Sequence, residues 1–359
     1  MGIILTNYNN NKVQIRIVEL YKCYFQNNSL VDFISMKNVD FDTFWFLKNR
    51  PAYIFFSKLE IMIQELECFL EGIIKIKGFR NKKIICFGGQ YALLLITRLI
   101  GRLLGHNYHL FIYNFYLHEL GEKRIIKRIL HFLLNSDYTT LIVQSPNELT
   151  YYKPLSKNSI FFIPYCEDPE FELNSTINIC SNYLFAGGYT NRDYDLILRC
   201  AQLNLDKQFV LVISKLNKDI NDSKLPDNVK IFEEVDGLTF NSLMYNSFGV
   251  IIPLKKDIGA SGQSLCLGAL KMSKPVIYCN ISSVNFYFKD SNSDYGIPYT
   301  IGDIDSLNDA IQKLYSDKFD FKTFGKNAYV HFTEKFTLNK RNETLFDVIL
   351  KENFAKENN

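Results

Sequence analysis

The second half of the chain alternates short hydrophobic runs with longer stretches in which hydrophobic residues recur every three or four positions. Runs such as FVLVIS at 209–214 and GVIIP at 249–253 are hydrophobic at nearly every position, which is typical of strands buried on both faces of a parallel sheet. The stretches between them have helical spacing. The pattern predicts strands at 182–186, 209–214, 229–232, 249–253 and 275–278, and helices at 195–203, 240–246, 264–272 and 306–315.

The first half follows the same alternation less regularly. Strands that alternate with helices at this pace form right-handed βαβ units around a parallel sheet. The C-terminal stretch 324–354 is predicted to be largely helical. The pattern of the first half predicts strands at 30–35, 52–56, 83–87, 109–113, 141–144 and 159–164, and helices at 58–72, 91–104 and 122–134.

The segment 165–181 is polar and lies between the two alternating regions, which makes it the predicted domain boundary. We therefore expect an α/β protein with two Rossmann-like, doubly wound domains, at 1–168 and 169–335. A C-terminal helix within 336–359 is expected to pack back on the first domain. Ligands bind to such sheets at the carboxyl ends of their strands, and the two domains are expected to face a central cleft.

Composition narrows the classes of function. The formal net charge is only +3 over 359 residues, which is too small for nucleic-acid binding through a strongly basic surface. The eight cysteines include no C-x-x-C pair, as expected for reduced thiols in a cytosolic protein. No apolar stretch of about 18 residues predicts a transmembrane helix, and the N-terminal apolar run is too short for a signal peptide. The expected location is cytoplasmic.

The main candidate for chemistry follows the predicted strand at 249–253. A loop leads to the run Ala260-Ser-Gly-Gln-Ser264 and then to a predicted helix. Gly262 lets the backbone come close to a ligand, and Ser261 and Ser264 are residue types that favour helix N-caps. The N–H groups and dipole at the start of a helix favour a diphosphate. The same pattern also fits an ordinary serine-capped turn between a strand and a helix.

Three segments, in the same order and spacing, resemble the donor-binding domain of GT-B glycosyltransferases, particularly the family-4-like group. The run 250–277 resembles the donor-site segment, 296–311 resembles the downstream Gly-Asp tail, and 183–197 (YLFAGGYTNRDYDLI) resembles the segment that opens the domain. The resemblance covers about 180–340 well and the first domain only in outline. It implies a UDP- or GDP-sugar as donor substrate, without a bound metal or another cofactor.

The resemblance also implies roles for individual residues. A glycine at the end of the opening strand approaches the donor, and a basic residue, here Arg192, meets the phosphates. Arg192 equally fits a solvated residue that pairs with Asp193, and Lys255 fits either a phosphate contact or a solvated lysine. The predicted donor-binding residues are Gly88, Gly89, Gly187, Gly188, Lys255, Ser261, Gly262, Gln263 and Ser264.

At two positions the chain lacks the residues that are usual in the family. Retaining members usually carry two glutamates eight positions apart around the donor loop, and the second binds the ribose. Counting back from Pro275, these positions hold Ala260 and Gly268, whose side chains cannot bond a hydroxyl. Gln263 is a candidate to replace that contact in part. The departure leaves stereochemistry and ribose recognition open, but not a diphosphate site that relies on backbone groups.

The first domain is expected to bind the acceptor. Gly88 and Gly89 follow a predicted strand and form either a tight turn or a close approach to the donor. His118 and Glu119 follow an aromatic stretch and are the candidates for a general base, with a structural histidine as the alternative. An inverting reaction requires such a base; in a retaining one the leaving phosphate can take the acceptor proton. The predicted catalytic residues are His118, Glu119 and Arg192, and no metal ligands are predicted.

The predicted helix at 122–134 (EKRIIKRILHFLL) is amphipathic. Such a helix either packs its apolar side on a core and exposes a solvated basic side, or lies on an anionic membrane surface. An enzyme with a lipid-linked acceptor would use the second arrangement. The basic side consists of Lys123, Arg124, Lys127, Arg128 and His131.

These observations predict a metal-independent GT-B glycosyltransferase of the hexosyltransferase type. It would move a sugar from a nucleoside diphosphate sugar to a glycan or glycolipid acceptor in surface polysaccharide synthesis, peripherally on the cytoplasmic face of the membrane. One alternative is a GT-B-shaped sugar-nucleotide epimerase, which needs no acceptor. Another is a non-catalytic GT-B scaffold subunit, which the missing glutamates would fit.

Overall fold

The structure is a computed structural model, and it divides the chain into two compact units. The first contains Met1–Val143, Glu148–Ile163 and Asn342–Asn359, and the second contains Gln144–Asn147 and Pro164–Arg341. The residues that the structure describes are 14–19, 30, 33, 36–37, 40–45, 58–74, 82–86, 90–101, 103–105, 108–114, 124–135, 139–154, 156, 159–177, 182–189, 191–214, 225–257, 259–290 and 295–351.

The first unit is built around a sheet of parallel strands. The strands are β1 (Gln14–Glu19), β2 (Asp40–Trp45), β3 (Lys82–Cys86), β4 (Tyr108–Tyr113), β5 (Thr139–Val143) and β6 (Ile160–Phe162). Their order across the sheet is β2-β1-β3-β4-β5-β6, and every pair is parallel. The helices are α1 (Lys58–Ile74), α2 (Gln90–Leu95) with a π-helical continuation (Ile96–Gly101), α3 (Arg124–Leu134) and α4 (Pro146–Tyr152).

The core of the first unit lies on both faces of this sheet, because its central strands carry hydrophobic residues at successive positions. Ile84 and Ile85 of β3 point to opposite faces and both are fully buried. On one face, Ile85 packs in a cluster with Leu345 and Ile349 from the C-terminal helix. The ammonium of Lys83, also buried, donates a hydrogen bond of 2.5 Å to the carbonyl oxygen of Ile349. The end of the chain is therefore part of the first unit's core.

The second unit has a sheet of the same kind. Its strands are β7 (Tyr183–Gly187), β8 (Gln208–Ile213), β9 (Val229–Glu233), β10 (Gly249–Ile252), β11 (Val276–Cys279) and β12 (Ile297–Tyr299). Their order is β12-β11-β10-β7-β8-β9, again parallel throughout. The helices are α5 (Tyr194–Leu203), α6 (Gly237–Tyr245), α7 (Gln263–Lys271), α8 (Ser282–Phe288), α9 (Ile304–Leu314), α10 (Phe321–Lys335) and α11 (Leu338–Lys351), of which α11 continues into the first unit at Asn342.

The core of the second unit is formed by its four central strands and the helices that cover them. The buried aromatic rings of Phe185 and Phe209 and the fully buried side chains of Ile251 and Ile277 belong to one continuous cluster. A strand covered by helices on both faces must be hydrophobic at successive positions, which is the pattern seen in its sequence. The prediction of doubly wound parallel sheets is confirmed.

One predicted strand is wrong. The segment 30–35 was expected to be extended, but Leu30, Phe33 and Met36 are helical. Leu30 and Phe33 are both buried, and a spacing of three residues places two side chains on one side of a helix. The strands of this region are instead β1 and β2, which sequence reasoning missed. The predicted strand at 52–56 lies outside the described residues.

The remaining differences concern boundaries and short elements. The predicted helix at 91–104 is α2 followed by a π-helical stretch. Three short elements went unpredicted, namely α4, α8 and β12. The units divide at 163/164 and 341/342, whereas the domain boundaries were expected at 168/169 and 335/336. The segment Gln144–Asn147, which includes the start of α4, also groups with the second unit, a placement that local sequence does not encode.

Candidate functional site

The candidate site lies at the carboxyl ends of β7 and β10 in the second unit. The chain proceeds from β7 through β8 to β9 on one side of the sheet and from β10 through β11 to β12 on the other. Adjacent strands whose connections run in opposite directions leave a crevice at their carboxyl ends, and doubly wound sheets bind ligands there. The donor-binding residues predicted in the second domain all lie at the end of β7, in the two loops that leave this switch point, or at the start of α7.

The loop after β7 brings Arg192 against the two glycines that end the strand. The Nε–H group of Arg192 donates a hydrogen bond of 2.9 Å to the carbonyl oxygen of Gly187. Gly188 has a φ of +135°, and a Cβ atom there would collide with the Arg192 guanidinium. A Cβ atom at Gly187 would lie 2.6 Å from the ring of Phe240. Both glycines are therefore required by close packing within the unit.

Arg192 is buried, with only 8% of its surface exposed. Burial lowers the pKa of its guanidinium, and only the ionised forms of Tyr194, Cys266 and Cys279 would act in the opposite direction. Burial also raises the pKa of both thiols, to about 11 for Cys279, so near pH 7 they are neutral and do not offset the charge of Arg192. The interpretation of Arg192 as a solvated residue is wrong. It places a desolvated positive charge at the switch point.

The loops after β7 and β10 are joined by several hydrogen bonds. Asn191, in the left-handed region at a φ of 56°, donates from its side-chain amide to the Lys256 carbonyl at 2.8 Å. Its own carbonyl accepts from the Lys255 N–H at 3.1 Å. The Asp193 N–H donates to the Pro253 carbonyl at 2.8 Å. These contacts hold Arg192 beside the donor loop. The Lys255 side chain is exposed.

The helix α7 begins at Gly262, which has a φ of +84° and makes no side-chain cap. The first bond of the helical ladder joins the Cys266 N–H to the Gly262 carbonyl at 3.0 Å, so the preceding N–H groups of the first turn have no acceptor inside the helix. Ser264 is exposed, whereas Ser261 is partly buried. Neither serine is the N-cap, which corrects the expectation of a serine-capped helix.

Four other helices of the second unit begin differently. The N-caps of α5, α6, α9 and α10 are Asp193, Asp236, Asp303 and Asp320, and each carboxylate accepts a hydrogen bond from an N–H group of the first turn. An aspartate cap satisfies these donors from within the protein and adds a negative charge at the positive end of the dipole. Helix α7 has neither feature, and its start can receive an anion instead.

Gln263, the first residue of α7, is buried. Its side-chain NH2 group donates to the Gln144 carbonyl at 2.5 Å, and Gln144 belongs to the same unit. The amide therefore helps to hold the segment Gln144–Asn147 against the start of α7. The suggested contact of Gln263 with a ribose remains a prediction, with the NH2 group already engaged.

The two positions that hold glutamates in retaining relatives are placed differently in this chain. Ala260 lies partly buried in the donor loop. Gly268 lies in the body of α7, and a Cβ atom there would stand 2.5 Å from the Met244 methyl group. Position 268 is therefore part of the core between α6 and α7, and a glutamate would displace Met244.

Asp257 is a site residue that sequence reasoning missed. One carboxylate oxygen accepts from the N–H and hydroxyl groups of Ser282, at 3.1 and 2.8 Å, and the other from the Ser283 N–H at 3.3 Å. Burial raises the pKa of Asp257, but these hydrogen bonds outweigh it, and the net pKa is lowered. The amide of Asn147 donates to the same carboxylate at 3.1 Å. Asp257 thus anchors the donor loop to the start of α8.

The remaining predicted residues of the first domain lie outside the described residues. These are Gly88, Gly89, His118 and Glu119, and their roles stay predictions. Among the described residues, no group of three or more His, Cys, Asp or Glu side chains could hold a metal ion. Within the same part of the chain, no helix has both the length and the apolar character needed to cross a membrane.

The chain is similar to known proteins in structure but matches none of them in sequence. No family model and no curated protein matches the chain. Sucrose-phosphate synthase from Thermosynechococcus elongatus has a TM-score of 0.67 at 13% identity, over 94% of this chain and 98% of that one. A glycosyltransferase from Rickettsia africae has a TM-score of 0.64 at 12% identity, over 97% and 100%.

A third similar structure is Anabaena HepE in complex with UDP and glucose. Its TM-score is 0.64 at 13% identity, over 94% of this chain and 99% of that one. These three proteins are GT-B glycosyltransferases, and the likeness extends over nearly the full length of each. The chain therefore has the GT-B fold, as the resemblance in its second half implied.

Proposed function

We propose that this protein is a glycosyltransferase that takes a sugar from a nucleoside diphosphate sugar. The observation that carries the proposal is the pairing, at the switch point of the second unit, of the open start of α7 with the buried Arg192. A diphosphate carries the charge and the acceptor oxygens that this arrangement would bind. UDP is the first candidate nucleotide, because HepE with the same fold has been solved with UDP and with UDP-glucose.

The proposed chemistry relies on stabilising the leaving diphosphate. Negative charge grows on the diphosphate as its bond to the sugar breaks, and preorganised donors aimed at that charge lower the barrier. The N–H groups of the first turn of α7 and the guanidinium of Arg192 would supply these donors. Removal of one such donor typically costs about 100- to 1,000-fold in rate. In this proposal they replace a metal ion, so the enzyme is metal-independent.

The acceptor is proposed to be a glycan or a lipid-linked glycan in surface polysaccharide synthesis, bound by the first unit. His118 or Glu119 would act as general base in an inverting reaction. The enzyme would work in the cytoplasm, peripherally on a membrane, and 122–134 is the segment proposed to contact anionic lipid. Support for the membrane part comes from the exposed surface of the first unit, described in the next subsection.

The test replaces Arg192 and a matched arginine in the same unit. Arg192→Ala is expected to lower the affinity for UDP at least tenfold, measured by calorimetry, and to lower donor turnover at least 100-fold. Arg192→Lys keeps the charge and is expected to recover part of the affinity. Arg199→Ala is the control, because Arg199 is exposed and pairs only with the exposed Asp195 one turn earlier. Thermal unfolding of all variants reports on the fold.

Each outcome separates the proposal from its alternatives. Normal turnover in a folded Arg192→Ala variant would remove Arg192 from the site. If no UDP- or GDP-sugar binds or stabilises the protein, both the transferase and the epimerase are excluded and the scaffold alternative stands. Slow donor hydrolysis without acceptor supports a transferase, whereas release of an epimerised nucleotide sugar supports the epimerase.

A further inference from the structure

A group of large hydrophobic side chains on the first unit is exposed. The exposed fractions are 86% for Leu103 and 55% for Leu104, just beyond the π-helical stretch, and 52% for both Ile129 and Phe132 of α3. Leu99, within the π-helical stretch, is 42% exposed. Hydrophobic side chains exposed singly are common, but a contiguous group marks a binding surface. We refer to Leu99, Leu103, Leu104, Ile129 and Phe132 as the apolar patch.

The two parts of the apolar patch are neighbours in the structure. Helices α2 and α3 pack against each other, and the guanidinium of Arg98 lies 5.1 Å from the centroid of the Phe132 ring. Arg98 is adjacent in sequence to Leu99. Among the side chains of α3 that the structure describes, Leu133 and Leu134 are buried. Ile129 and Phe132 therefore do not serve the core, contrary to the interpretation of this helix as a purely core-packing one.

The two segments that carry the apolar patch have charge of one sign. The segments 90–105 and 123–135 contain six Lys or Arg residues and no Asp or Glu, and Arg128 beside Ile129 is exposed. Helix α1, which packs against α2, has a second exposed apolar stripe at Leu66, Leu70 and Ile74, but it carries Glu67 and Glu71 between the members of the stripe. Hydrophobic side chains on segments whose own charges are all positive are complementary to an anionic lipid surface, which offers an apolar interior beneath negative headgroups.

We propose that the apolar patch inserts into the headgroup region of an anionic bilayer while the surrounding arginines bind lipid phosphates. The inference deepens the membrane part of the proposed function and rests on it for its biological purpose, since a lipid-linked acceptor lies at such a surface. It differs from binding by the basic side of α3 alone, because the exposed leucines beyond the π-helical stretch supply part of the affinity.

The test is co-sedimentation of the full chain with phosphatidylcholine vesicles, with and without phosphatidylglycerol, at low and high salt. The wild type is expected to bind the phosphatidylglycerol vesicles. Leu103→Asp is expected to weaken that binding about tenfold or more, because it removes an inserted apolar side chain and adds a repelled charge. Leu203→Asp is the matched control, since Leu203 is a 60% exposed leucine of the second unit, and it should bind as the wild type does.

Charge is tested separately. Arg128→Glu should weaken binding to vesicles that contain phosphatidylglycerol, more at low salt than at high salt, and Arg199→Glu in the second unit should not. Failure of the wild type to bind either vesicle, or equal binding by Leu103→Asp and Leu203→Asp, overturns the proposal. Loss of a wild-type dimer in Leu103→Asp without vesicle binding would also overturn it, in favour of a self-interface. UDP affinity, measured in parallel without lipid, reports on the donor site independently.

Discussion

The helices of the second unit differ in what accepts hydrogen bonds from the N–H groups of their first turn. Helices α5, α6, α9 and α10 each place an aspartate over their first N–H groups, and α7 places a left-handed glycine there. In the capped helices an aspartate of the protein accepts the hydrogen bonds of the first turn. In α7 no side chain caps the first turn, so its N–H donors and the positive end of the helix dipole can face a ligand. The difference suggests that an uncapped helix in an otherwise well-capped unit marks the position of an anionic ligand.

In α7 only the start differs from the capped helices. The rest of the helix packs in the core as they do. Gly268→Glu would test this by restoring the acidic residue that relatives carry. We expect a loss of about 4 kcal/mol in unfolding free energy, because the carboxylate is buried against Met244. Gly237→Glu is the control. Gly237 lies in the first turn of α6, and a Cβ atom there has no neighbour within 4 Å. Urea unfolding measures both, and equal stability would mean that position 268 opens to solvent.

A negative charge at the start of α7 should weaken binding of the proposed diphosphate. In Gly262→Asp the new carboxylate would lie at the start of the helix and repel a diphosphate. We expect about a 100-fold loss of UDP affinity, or about 2.7 kcal/mol by calorimetry. Gly302→Asp is matched for backbone strain, with a φ of +72° and open space around its Cβ position, and it should leave UDP affinity unchanged. Similar affinity in the two variants would refute the proposed site.

Removing a cap should have the smallest effect, and only on stability. Asp236→Ala removes the hydrogen bond of 2.7 Å from the Thr239 N–H and is expected to lower Tm by about 2 °C at pH 7, without changing UDP affinity. This backbone hydrogen bond lowers the pKa of Asp236 from 3.8. The stabilisation is therefore complete above that value and lost as the pH falls through the folded pKa. Thermal melts at acidic pH should show wild type and variant converging; a constant difference would contradict the assignment.

Prediction from sequence worked best where a strand is buried on both faces. Strands β8 and β10 are continuous hydrophobic runs, and their positions were predicted to within a residue or two. It failed for β1 and β2, QIRIVE and DFDTFW, in which hydrophobic and polar residues alternate in part; this alternation is itself a signal for a strand, and it went unrecognised. The segment at 30–35 looked like a strand because a short hydrophobic run does not distinguish a strand from a helix by periodicity alone.

Some residues of the candidate site were predicted from sequence and others were not. The donor loop and Gly262 were recognised because a glycine between a buried strand and a helix is a local feature. The roles of Asn191 and Asp257 were not, since their side-chain partners lie 65 and 25 residues away. A local signal existed for Asn191, because asparagine tolerates the left-handed conformation that this residue adopts.

The sequence by itself determined the succession of βαβ units, the glycine turn that opens α7, and the aspartate caps of α5, α6, α9 and α10, because each depends on residues within a few positions of one another. Only the tertiary structure decided that Arg192 is buried rather than solvated, that Gln263 holds Gln144, and that Gly268 packs against Met244. Burial is set by what other segments cover, and those segments lie tens of residues away. The charge on which the proposed anion site depends is thus a property of the folded unit.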